Sequence, residues 1–147
     1  MKTICIISSP ETTDIAEQLE AILSYDGYSV YTMSKTYNDV YLSVVDISPS
    51  DCQLIISIDG FGFERTAPDG GSYYNRTPVN VLAILFNHAD DYERFLKQRI
   101  NYTISFLVPS SEDADFFRTR LEHIYHVDTY SSLDDIPAYL ESFDWRF

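Results

Sequence analysis

Five short apolar runs recur along this chain, and almost every gap between them carries helical spacing. The runs are KTICIIS at residues 2–8, YSVYTM at 28–33, QLIISI at 53–58, VNVLAILF at 79–86 and TISFLV at 103–108. Runs of this length and β-branched content read as strands, and VNVLAILF, apolar on both faces, reads as a central strand of a parallel sheet. Between the first two lie Ile15, Leu19, Ile22 and Leu23 at helical spacing, with Thr12, Thr13 and Asp14 as candidate caps and Asp26-Gly27 as a stop. Val40, Val44 and Ile47 give a weaker stripe. Asp90 or Asp91 precedes Tyr92, Phe95 and Leu96, Ser110 or Ser111 precedes Phe116, Phe117, Leu121 and Ile124, and Ser132 opens a last helix with Tyr139, Leu140 and Phe143. A short sixth strand fits residues 127–130. Strands alternating with helices specify an α/β sandwich with right-handed crossovers. The expectation is one Rossmann-like three-layer domain over residues 1–147, with a five- or six-stranded, mostly parallel sheet of order 3-2-1-4-5(-6) and the first strand central.

Charge narrows the partners. With 147 residues, 45% of them hydrophobic, the chain can bury a core without disulfides or metals. Its formal charge of −13 argues against general binding to a phosphate backbone or an anionic membrane surface, which needs basic residues. No apolar run approaches the ~20 residues of a bilayer span. Residues 1–10 lack the length and flanks of a signal peptide. Two cysteines, Cys5 and Cys52, both in or beside strands, are too few for a disulfide framework. The expectation is a cytoplasmic protein with reduced thiols. No linker, repeat or low-complexity tract divides the chain.

In open parallel sheets, ligands bind beyond the carboxyl ends of the strands where strand order reverses. For the expected order, Ser8 and Ser9 would face Asn87 and His88 across that crevice, with Asp59, Gly60 and Gly62 close by. Ser8-Ser9 precedes a helix N-terminus, where free N–H groups favour an acceptor. No Gly-x-Gly-x-x-Gly or Walker pattern accompanies it, and Glu11 opposes a phosphate. Residues 59–78, with four of the five glycines, form the one long irregular stretch. Its Asp59-Gly60-Phe61-Gly62-Phe63 reads equally as a ligand loop or as a turn tucking two Phe rings into the core. Tyr73 and Tyr74 add aromatic faces on which a sugar could stack. No nucleophile–base set or metal-ligand spacing stands out, and no cofactor or metal is expected. The candidate ligand residues are therefore Ser8, Ser9, Asp59, Gly60, Gly62, Tyr73, Tyr74, Asn87 and His88, with no catalytic role assigned.

The segments LIISIDGFGFE, GGSYYNRTPVNVLAILFNHADDYERFL and NYTISFLVP resemble the N-terminal Rossmann-like domain of bacterial GT-B glycosyltransferase-like proteins. The resemblance lies in a strand-end Gly60-Phe61, the turn Tyr74-Asn75-Arg76-Thr77-Pro78, and Asn87-His88 after a strand. It implies an acceptor-side domain that is non-catalytic alone and binds a small polar ligand or a partner protein. In that family the donor sits mainly on a second domain, whose residues have no counterparts here. A two-chain transferase with this chain as acceptor subunit is the enzyme alternative. The chain also resembles a receiver domain, with Asp59 at the end of the third strand, but Ser8-Ser9 and Val108-Pro109 replace the acidic pair and the lysine. That likeness implies a degenerate signalling domain acting by protein contacts, homodimerisation included.

Overall fold

The computed structural model describes residues 2–34, 47–93, 97–121 and 124–143. Among them six strands form one all-parallel sheet: β1 (Thr3–Ser8), β2 (Ser29–Ser34), β3 (Leu54–Ile58), β4 (Asn80–Ile84), β5 (Ile104–Val108) and β6 (His126–Thr129). The α-helices among the described residues are α1 (Thr13–Tyr25), α2 (Ser111–Arg120) and α3 (Ile136–Glu141). The expected α/β sandwich is therefore present. The stripe at Val40 and Val44 and the residues Phe95, Leu96 and His123 lie outside the described residues.

Strand order differs from the expected 3-2-1-4-5(-6). It is β2-β1-β3-β4-β5-β6, so β3 rather than β4 lies beside β1. Both orders obey right-handed crossover, so the alternation of elements does not separate them. Burial does. All five β3 residues are buried, whereas the described side chains of β2 are exposed or only partly buried. An interior parallel strand must be apolar on both faces, and LIISI meets that demand better than SVYTMS.

The alternating side chains sort into two cores. Ile4, Ile6, Leu54, Ile56, Ile58, Leu82, Ile84 and Leu107 face α1 and α3. Cys5, Ile7, Ile55, Val81, Ala83, Phe106 and Val108 face α2 and the connections on the other side. α1 ends as its sequence dictates: Gly27 takes φ +99°, and the Tyr28 N–H donates to the Leu23 carbonyl. α2 starts with the Ser110 hydroxyl accepting from the Asp113 N–H. Edge strand β6 is partly occupied, because Arg118 donates to the Val127 carbonyl and the Asp128 carboxylate accepts from the Thr129 N–H. Such contacts blunt an edge against pairing with another chain.

The β3–β4 connection holds no α-helix, only turns, an isolated bridge between Thr66 and Ser72, and a 3-10 turn at Tyr73–Arg76. It is nonetheless packed. Phe61, Phe63 and Tyr74 are buried in the second core, with the Phe63 and Tyr74 rings 4.9 Å apart. At the expected helix opening a 3-10 turn spans Ala89–Asp91. No helix among the described residues is long and apolar enough to cross a membrane.

Candidate functional site at the carboxyl edge of the sheet

With β3 beside β1, strand order reverses between these two strands, and the crevice moves with it. Ser8 and Ser9 at the end of β1 thus belong with Asp59 and Gly60 at the end of β3. They do not face Asn87 and His88, which follow β4, two strand spacings of roughly 4.8 Å away.

The β1–α1 loop carries hydroxyls that do not cap the helix. A 3-10 turn at Pro10–Thr12 leads into α1, and neither Ser9 before the turn nor Thr12 before the helix makes a side-chain cap bond. The Ser9 and Thr12 hydroxyls lie 3.3 Å from each other instead. Ser8 is 0% exposed and its hydroxyl has no hydrogen-bond partner. The Thr32 hydroxyl is likewise buried and without a partner. Ser8 pairs with Ser34 and Ile6 with Thr32, so strand alternation puts Ser8 and Thr32 on the α1 face of the sheet. An unsatisfied buried hydroxyl costs about 1–3 kcal/mol. Two of them on one face, beside an uncapped helix N-terminus, mark a place built for hydrogen bonding.

Across the crevice, Asp59 adopts φ +56°, a left-handed conformation that Asp tolerates better than most residues. Gly60 follows with φ +72°. The conformation aims the carboxylate back along the sheet edge, where Oδ1 accepts from the Phe86 N–H at 3.2 Å and from the Tyr92 hydroxyl. Burial first, and the Asp59 charge after a hydrogen bond to it, push the Tyr92 phenol up. It therefore stays protonated and donates. Tyr130 donates to the Leu85 carbonyl at 2.6 Å, and its pKa is pushed up to about 12 by burial and by Asp59. Phe86 and Tyr130, both partly exposed, meet edge to face with centroids 6.1 Å apart.

The other expected site residues disperse. Gly62 is buried at φ +104°, and a Cβ there would stand 2.6 Å from the Tyr74 ring. Tyr74 is 1% exposed and its hydroxyl donates to the Phe61 carbonyl, so it is a core residue and not a stacking platform. The expectation that Tyr74 offers an aromatic face to a ligand is thereby overturned. Tyr73 lies beyond the crevice, in a turn tied to the segment entering β5: Ser72 donates to the Arg99 carbonyl, and the Asn101 N–H donates to Asn75. The Arg76 guanidinium sits 5.4 Å from the Tyr73 ring centroid. Asn87 and His88 are exposed. His88 reaches Asp113 at 3.6 Å with its side chain 83% exposed. Asp113 itself also accepts from the Ser110 hydroxyl and the Ala89 N–H. Burial opposes its charged form, but these bonds and His88 outweigh it and hold the carboxyl below the usual range.

Sequence reasoning missed Tyr92, Tyr130 and Thr32. Tyr92 was legible only as an apolar position of an expected helix. Thr32 was an ordinary strand residue, because the lack of a partner is a property of the packed sheet. Among the described residues no cluster of three or more His, Cys, Asp or Glu could hold a metal ion. No protein-family model matches the chain, and a search of curated proteins finds no match.

Proposed function

We propose that this chain is a binding domain for a small hydroxyl-bearing ligand, seated between the β1–α1 loop and the Asp59–Gly60 turn. The observation that carries the reading is the buried, partnerless Ser8 hydroxyl beside the uncapped start of α1, at the point where strand order reverses. Backbone N–H groups and a serine hydroxyl donate to ligand oxygens. The Asp59 carboxylate opposite accepts from ligand hydroxyls and disfavours an anion. The likeness to GT-B N-terminal domains, resting on Gly60-Phe61, Tyr74 to Pro78 and Asn87-His88, favours the same ligand class in an acceptor-side, non-catalytic role.

A second reading gains from the strand order. The order 2-1-3-4-5 is shared by flavodoxin and receiver domains, and Asp59 ends β3 as a receiver's phosphorylated aspartate does. The Asp59 carboxylate is engaged by Tyr92 and Phe86, with Ser8-Ser9 where metal-binding acids would stand. Under this reading the domain acts through protein contacts.

Amide NMR titration of the whole chain with polyols, nucleosides and nucleotide sugars tests the first reading. Perturbations should centre on residues 8–12 and 59–62 and vanish in Ser8→Ala and Asp59→Asn. Perturbation of neither segment by any of the three classes overturns it.

A further inference from the structure

A second site lies at the opposite end of the sheet, on the face shared by α1 and α3. α3 has only six residues and so spans about 9 Å. Ile136 and Leu140 seat it on the core. Toward the amino ends of β4, β5 and β6 that face of the sheet carries polar side chains beside the apolar Leu82, Ile84 and Leu107. Asn80 and Ser105 are 8% and 7% exposed, and Ser105 pairs in register with His126. With Asp128 and the rings of Tyr102, Tyr139 and Phe143 they line a groove of about 580 Å³.

The groove's chemistry is specific. Burial first, and then the nearby Asp128 charge, push the Tyr139 phenol up, so it remains neutral beside Ser105. Tyr139 and Phe143 meet with centroids 5.9 Å apart, and Tyr102 stands 71% exposed. Aromatic faces, a carboxylate, an amide and hydroxyls around one concave space match a ring with one C–H face and equatorial hydroxyls. Asp128 and the chain's −13 charge disfavour anions. We propose that this groove binds a neutral sugar ring, stacked on Tyr102 and hydrogen-bonded to Asp128 and Asn80. The site shares no residue with the one at the carboxyl edge.

The test is an amide NMR titration of the whole chain with methyl glycosides and disaccharides of glucose, galactose and N-acetylglucosamine. Binding should perturb Asn80, Ser105, His126 and Asp128. Tyr102→Ala and Asp128→Asn should each weaken it by about tenfold or more, as loss of a stacking or charged contact does, at unchanged melting temperature. Ser8→Ala should leave it intact, which separates this site from the carboxyl-edge reading. Unperturbed groove amides with every sugar, shifts confined to residues 8–12 and 59–62, or wild-type affinity in both groove variants would each overturn the proposal.

Discussion

Two connections of this domain look alike in function and differ in fact. The β3–β4 connection is long, irregular and glycine-rich, the features of a ligand loop. Yet beyond the Asp59–Gly60 turn it serves packing: Gly62 leaves room for the Tyr74 ring, and Phe61, Phe63 and Tyr74 fill the core where a crossover helix would lie. The β1–α1 loop is short, and its hydroxyls look like helix caps. There the caps are absent and a buried serine lacks a partner. Irregularity thus reports how a core is filled, and unsatisfied polarity reports where something else can bind.

The largest test of that contrast is Tyr74→Ala. Removing a large aromatic from a core costs about 3–5 kcal/mol. Denaturant unfolding should show a loss of this size. Tyr74→Phe should lose only about 1 kcal/mol, because the Phe61 carbonyl keeps its bond from the Ser57 hydroxyl at 2.8 Å. A Tyr74→Ala loss under 1 kcal/mol would return the connection to the ligand-loop class.

Gly62→Ala comes next. Its positive φ strains any Cβ, and that Cβ collides with the Tyr74 ring. The loss should exceed about 1 kcal/mol. Combined with Tyr74→Ala it should fall short of the sum, because the collision is removed. Strict additivity would mean that the two residues do not share a contact.

The same contrast explains what was legible in the sequence. The strands LIISI and NVLAI, the Gly27 stop and the Ser110 cap follow from local pattern, and all are present. The position of β3 was also legible, because LIISI is more apolar than SVYTMS, but alternation alone hid it. The fate of Tyr74 was not legible. Whether a tyrosine beside two glycines turns in or out depends on space left by a missing helix, which no local pattern encodes. The pairing of Asp59 with Tyr92, 33 residues apart, is likewise a product of topology.

Asp113 offers a smaller test, at a loop end where polarity is fully satisfied. Its folded pKa is lowered, so its contribution to stability is present above the unfolded value of about 3.9 and is lost as pH falls through the folded value. Asp113→Asn should cost about 1 kcal/mol at neutral pH, as loss of a helix-start contact does. It should also flatten the decline of stability below about pH 4. An unchanged acid limb would show that the Ser110 and Ala89 bonds do not favour the charged carboxylate.

The smallest effect is expected at Ser8, and its sign carries the argument. A buried hydroxyl with a good partner is destabilising to delete, by about 1 kcal/mol. A hydroxyl with no partner incurs the desolvation cost without return, and its deletion regains that cost but loses the packing of the buried oxygen, so Ser8→Ala should leave the unliganded domain unchanged or stabilise it by a few tenths of a kcal/mol. Thr32→Val, nearly isosteric, should behave the same way. The packing of Ile4 and Ile6 with Ala16 and Leu19 stays intact in both, so melting temperature isolates the polar contribution. If either variant loses 1 kcal/mol or more, its hydroxyl is satisfied in the free protein. The two connections then no longer differ in unsatisfied polarity, and the ligand reading at the carboxyl edge loses its carrying observation.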